Sequence, residues 1–102
     1  MKSFEEIKEI LSKSKPIVQE KYQVKELGIF GSYVRGEQNE SSDVDILIAF
    51  EKAPSLLKFI ELENYLSETI GIPVDLVIKQ VLKPRIGENI LAEVIYLWRK
   101  EL

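Results

Sequence analysis

The stretch from Asp43 to Phe50, Asp-Val-Asp-Ile-Leu-Ile-Ala-Phe, constrains this chain more than any other. Val44 to Phe50 is rich in β-branched residues and reads as a strand, and its apolar run from Ile46 to Phe50 belongs in a core. Two aspartates stand at its head. Side chains two apart on a strand share a face, about 6.6 Å apart along the chain, so Asp43 and Asp45 repel, and burial raises their pKa. A divalent cation removes that conflict, and hard oxygen donors with no nitrogen or sulfur nearby suit Mg2+. A lone Asp-x-Asp is more often turn chemistry, with Ser42-Asp43 as the turn and Asp45 at the surface. The apolar residues that follow at once weigh against this, because Asp45 then projects from a core strand.

Other elements gather around this strand. Ser3 followed by Glu6 forms a capping box, and Phe4, Ile7, Ile10 and Leu11 recur at helical spacing. Pro16 cannot donate to the carbonyl four residues back, so this helix is predicted to break near Lys13 to Lys15. Ser14 then caps a second short helix to about Tyr22. Leu27 to Phe30 reads as a short buried strand ending at Gly31. Pro54 and Ser55 open a long helix carrying Leu56, Ile60, Leu66 and Ile70, which Gly71 and Pro73 end. Val74 to Ile78 is a third strand. Pro84 to Leu91 reads as a short helix, and Val94 to Trp98 as a fourth strand or more helix. A chain of 102 residues holds one core, so a single domain is expected over 1–102. The element order predicts a small sheet covered by helices, an α/β or α+β sandwich.

Composition narrows the chemistry. The chain has no cysteine, which removes disulfides, iron–sulfur clusters and thiolate zinc sites. It has no histidine, which removes imidazole bases, imidazole-bound metals and Ser-His-Asp triads. Carboxylates, hydroxyls, Lys, Arg and the backbone are left. The net charge of −3 does not suit a chain that coats nucleic acid. Residues 27–51 hold one basic and five acidic side chains, and Arg35 is their lone cation. Residues 76–102 carry a net +2, too little for an RNA-binding tract. The longest apolar runs are five residues, far short of the roughly 20 that cross a bilayer. No secretory signal is visible, so the cytoplasm is the expected location.

Gly31-Ser32 follows a strand and precedes about one helical turn, Tyr33 to Gly36. A strand-to-helix turn exposes free amides, where phosphate binds, and the Ser32 hydroxyl can donate to a phosphate oxygen. Gly-Ser is more often only a helix cap. Glu37 stands where a Walker A lysine would be, so that reading fails. Asp75 lies inside the third strand, against strand propensity. It is either a strand-end cap or, if that strand neighbours the second, a third carboxylate on the face of Asp43 and Asp45. Three carboxylates on adjacent strands would make a two-metal site for phosphoryl chemistry. Arg35 either contacts phosphate or offsets the aspartates.

The pattern Gly31-Ser32, ten residues, Asp43-Val44-Asp45 with an apolar strand behind it, and a later strand Asp resembles the nucleotidyltransferase superfamily of DNA polymerase β. The fuller string Gly-Ser-Tyr-Val-Arg-Gly, Ser-Ser-Asp-Val-Asp-Ile-Leu-Ile and Val74-Asp75-Leu76-Val77 is similar to its minimal nucleotidyltransferase (MNT) branch. The resemblance spans nearly the whole chain. It implies a mixed sheet with helices packed on one side. It also implies that Gly31 and Ser32 hold triphosphate, that Asp43 and Asp45 bind the metals, and that Asp75 is the third carboxylate. The implied cofactor is Mg2+, as two ions, and the implied substrate is ATP. Members of this branch accompany a HEPN-domain toxin, act as its antitoxin and transfer AMP to one of its tyrosines. A hetero-oligomer with such a partner is therefore expected. With no histidine, Asp75 is the natural acceptor of the attacking hydroxyl's proton. Two other readings compete: a vestigial site on a module that neutralises its partner by occlusion, and a transferase acting on a small molecule or an RNA end.

Overall fold

Alternate residues of the central strand decide where the helices go. In the computed structural model, which describes residues 2–99, Val44, Ile46, Ile48 and Phe50 are buried in one cluster with Leu27, Ile29 and Leu76. Helical Ile7, Leu11, Leu62 and Leu66 join that cluster. Leu47 and Ala49 are also buried but lie outside it, on the opposite face of the strand with Asp45.

In chain order the elements are α1 (Phe4–Tyr22), β1 (Val24–Phe30), α2 (Ser32–Arg35), β2 (Val44–Phe50), α3 (Leu56–Ile70), β3 (Val74–Ile78), a 3-10 turn (Lys79–Val81), α4 (Pro84–Glu93) and β4 (Ile95–Trp98). The sheet runs β3-β2-β1-β4. β1 is antiparallel to β2 and β4, whereas β2 and β3 are parallel. A parallel pair needs a crossover, which α3 supplies. α1 and α3 pack on each other and on the sheet, giving the α+β arrangement that the resemblance implies. The segment from Val94 to Trp98, open between helix and strand, is a strand from Ile95 onward.

Two helix expectations are overturned. Pro16 does not end the first helix, which runs unbroken from Phe4 to Tyr22. Ser12 and Pro16 are both exposed, so the carbonyl that Pro16 leaves without a donor faces water. Ile7, Leu11, Val18 and Tyr22 form one buried stripe. Burying Val18 and Tyr22 beyond the proline is worth roughly 3–6 kcal/mol, against about 3 for an interior proline. Ser14 is no cap: it is buried, and its hydroxyl donates to the Ile10 carbonyl. On α3, Leu66 and Ile70 are buried as expected, but Leu56 is 73% and Ile60 43% exposed, and Leu62 takes the core position instead. β1 also starts at Val24 rather than Leu27, because Val24 pairs with Phe50 across a bulge that the polar pair Lys25-Glu26 conceals.

The outer edge of β3 is closed by α3 itself. The Val74 amide donates to Ser67 Oγ at 2.9 Å and the Leu76 amide to Glu63 Oε2 at 3.1 Å. These bonds satisfy edge amides that would otherwise template another strand. They also hold β3, and Asp75 with it, in place. Among the described residues no helix is long and apolar enough to cross a membrane.

Candidate active site

One row of the sheet collects the charged groups. Phe30, Asp45 and Asp75 are register partners across β1, β2 and β3, and partners in register project to one face. Asp75 thus shares a face with Asp45, as its position on a neighbouring strand requires. Asp43 is exposed, one residue before β2. The turn leading into it is built by Asn39, whose Oδ1 accepts from the Ser41 amide at 2.8 Å and whose amide donates to Ser42 Oγ at 3.0 Å.

Asp45 carries the electrostatic cost of this arrangement. Its carboxyl is pushed up to about 6 from 3.8, first by burial, then by Asp75 and Asp43. Arg35 opposes the rise and Glu93 adds slightly to it. At neutral pH the row therefore holds like charges with little to offset them.

Gly31 links β1 to α2 with φ +83 and ψ −154, a conformation essentially confined to glycine. It also lies so close to the row that a Cβ there would overlap the Asp45 carboxylate. Glycine thus lets the backbone turn against the aspartate. Ser32 and Tyr33 open α2, where the first amides have no intrahelical acceptor. The alternative reading of Gly-Ser as a helix cap holds for Gly31, the N-cap of α2, whose carbonyl accepts from the Val34 and Arg35 amides; a glycine brings no side chain to the amides that open the helix.

Arg35 is held by two acids. Its Nη1 donates to Glu93 Oε1 at 2.6 Å, and its Nε lies 3.3 Å from Glu37 Oε1. Glu93 Oε2 accepts from the Gly31 amide at 2.8 Å. The Arg35 bond and then the Gly31 amide hold the Glu93 carboxyl below its usual value. Sequence reasoning missed Glu93. It is the last residue of α4, and only the pairing of β4 with β1 brings it to the turn.

Among the described residues no group of three or more Asp, Glu, His or Cys side chains forms a ready-made metal cage. Mg2+ seldom needs one, because it keeps several waters and takes one or two carboxylates plus substrate phosphates. Asp43 and Asp45, with Asp75 alongside and the nearby cation Arg35 already paired, offer that all-oxygen donor set.

Residues 11–97 match the nucleotidyltransferase domain family. The protein adenylyltransferase MntA of Thermococcus cleftensis is 55% identical over 97 residues, which cover 95% of this chain and 98% of that one. A solved candidate minimal nucleotidyltransferase is 34% identical, with a TM-score of 0.69 over 88% of this chain and 87% of that one. A toxin–antitoxin structure with AMP-PNP shares the fold at a TM-score of 0.78, covering 92% of this chain and 74% of that one at 21% identity. A glycine turn packed against a strand-borne aspartate row, a family match across most of the chain and relatives of matching length agree: this chain belongs to the nucleotidyltransferase domain family, in its minimal branch.

Proposed function

We propose that the chain transfers AMP from ATP to a hydroxyl of a HEPN-domain toxin and thereby acts as its antitoxin. The observation that carries this is the contact of Gly31 with Asp45, which sets a turn suited to phosphate beside carboxylates suited to a metal. The relative named an adenylyltransferase, and the fold shared with a toxin–antitoxin protein, support the same reading.

In this reading the Ser32 hydroxyl and the first α2 amides hold the triphosphate. Asp43 and Asp45 would hold Mg2+, with Asp75 as the third carboxylate. A Mg2+ ion held by those carboxylates would supply positive charge against the phosphates of the nucleotide. The acceptor hydroxyl attacks the α-phosphorus, the bond to the β-phosphate oxygen breaks, and pyrophosphate leaves. Asp75 accepts the hydroxyl proton. In this reading the partner supplies the acceptor hydroxyl.

The test is co-expression with a HEPN partner followed by intact-mass spectrometry. The partner is expected to gain one or more AMP units, and to gain none with the Asp43→Asn/Asp45→Asn variant. A partner that is neutralised yet carries no added mass would establish occlusion instead.

Ser32→Ala separates the phosphate role from a structural one. Nucleotide affinity should fall by on the order of 1.5–3 kcal/mol, the value of a hydrogen bond to a charged oxygen. Stability should change by less than about 0.5 kcal/mol, as at other sites without a special structural feature, because Gly31 and not Ser32 is the N-cap of α2. Calorimetric titration with Mg-ATP and urea unfolding measure the two. Unchanged affinity would remove Ser32 from the site.

A further inference from the structure

Glu93 reaches the Gly31–Arg35 turn from a distant part of the chain, and the transfer chemistry above gives it no task. The register explains why a side chain arrives there. Ile29 pairs with Ile95 across β1 and β4, so extending that antiparallel ladder by two residues sets Gly31 opposite Glu93. The ladder cannot extend, because Glu93 is the last residue of α4 and the Val94 amide donates to the Ile90 carbonyl. The Glu93 carboxylate takes the place of the missing backbone carbonyl, accepting the Gly31 amide at 2.8 Å. Unlike a carbonyl, it also brings a charge.

That charge is spent on Arg35, whose Nη1 lies 2.6 Å from Glu93 Oε1. Nε is turned to Glu37. Nη2 is left outside any ion pair among the described residues, and the side chain is exposed. A long cation that must be ordered as it meets a phosphate loses rotamer freedom at that moment, whereas one already held loses less. One carboxylate thus fixes both ends of the turn, at the amide that begins it and at the guanidinium that ends it, while Gly31 rests against Asp45.

We infer that Glu93 is a positioning residue for nucleotide binding: by holding the Gly31 amide and the Arg35 guanidinium together, it presents the turn and the free Arg35 Nη2 to a triphosphate in an already ordered state. This rests on the transferase reading of the site and adds to it a residue from the junction of α4 and β4.

The experiment is calorimetric titration with Mg2+ and a non-hydrolysable ATP analogue, alongside thermal melts, on wild type, Glu93→Gln, Arg35→Ala and the double variant. Gln keeps an oxygen for the Gly31 amide but cannot also accept from Arg35, so Glu93→Gln should melt close to wild type. Glu93→Gln and Arg35→Ala should each weaken binding by about 10- to 100-fold, the span of one charge-assisted hydrogen bond. The double variant should bind no more weakly than the worse single, since both changes cut one arm. Arg35 is exposed, so Arg35→Ala reads the same arm even if Glu93→Gln loses stability. The inference is overturned if Glu93→Gln binds the analogue as tightly as wild type or more tightly. It is equally overturned if Arg35→Ala binds normally or if the two losses multiply. A wild-type protein that binds no nucleotide would instead bring down the transferase reading, so the two failures look different.

Discussion

Asp43→Asn/Asp45→Asn is expected to melt above the wild-type protein in the absence of nucleotide, yet to transfer no AMP. The sign follows from Asp45, whose carboxyl is pushed up to about 6 in the fold against 3.8 ordinarily. Between those values the folded chain holds a proton that the unfolded chain has released. Stability is therefore lost as pH rises from about 4 through 6, and the full cost is present at neutral pH. The displacement sets an upper bound of about 3 kcal/mol. Partial exposure of the side chain reduces this to on the order of 1–2 kcal/mol. Asparagine carries no charge, so the variant regains that amount, or roughly 5–15 °C for a domain near this size. Its stability should also become flatter across pH 4 to 6.

The same variant should lose the response to ligand. For the wild type, Mg-ATP at a hundredfold excess over its Kd should stabilise the fold by about 2.7 kcal/mol, and the variant should show none of it. Transfer should drop by on the order of a thousandfold or more, since the charge stabilisation assigned to this pair is gone. Melting curves at several pH values, with and without Mg-ATP, measure every part. A variant that melts lower, while Mg-ATP shifts both proteins alike, would show these aspartates to be turn caps.

Gly31→Ala should be the most damaging single change at the site. The backbone there has φ +83 and ψ −154, which costs a residue with a Cβ roughly 1–3 kcal/mol in strain. The added methyl would also overlap the Asp45 carboxylate, so the aspartate or the turn must move. A total loss of about 2–4 kcal/mol, on the order of 10 °C or more in Tm, is expected, together with loss of nucleotide binding. Gly36 is the internal control. It also has a positive φ, +73, but a Cβ there meets nothing within 4 Å, so Gly36→Ala should cost only about 1–2 kcal/mol. Adding Asp45→Ala to Gly31→Ala should restore the clash part of the loss and leave the strain part. Equal losses at both glycines, with no recovery in the double variant, would mean that the turn does not press on Asp45.

The strands and the aspartates were legible because their signals are local. Val44 to Phe50 and Val74 to Ile78 declare themselves by β-branched runs, and Asp45 and Asp75 stand out as acids within them. Caps were equally readable: Ser3 with Glu6 and Ser55 open helices, and Gly71 ends one, where expected. Errors arose where tertiary burial overrode a local rule. Pro16 is carried by the stripe on either side of it, and the helical phase of α3 turns Leu56 and Ile60 outward in favour of Leu62. Glu93 was illegible for a different reason. Nothing in Ala92-Glu93-Val94 marks it, and its meaning lies in a pairing between β1 and β4 that joins segments more than sixty residues apart.

Gly31, Asp45, Asp75 and Glu93 come from the end of β1, from β2, from β3 and from the end of α4, so no contiguous segment carries the proposed site. Any excursion that detaches one of those elements dismantles it. A nucleotide that binds only the assembled arrangement therefore raises the free energy of every such opening together. Amides far from the ligand, in both edge strands and in α4, would slow their hydrogen exchange in step with those beside it. A molecule touching a few residues at one end of the sheet would thus act as a clasp on the cooperativity of the whole fold.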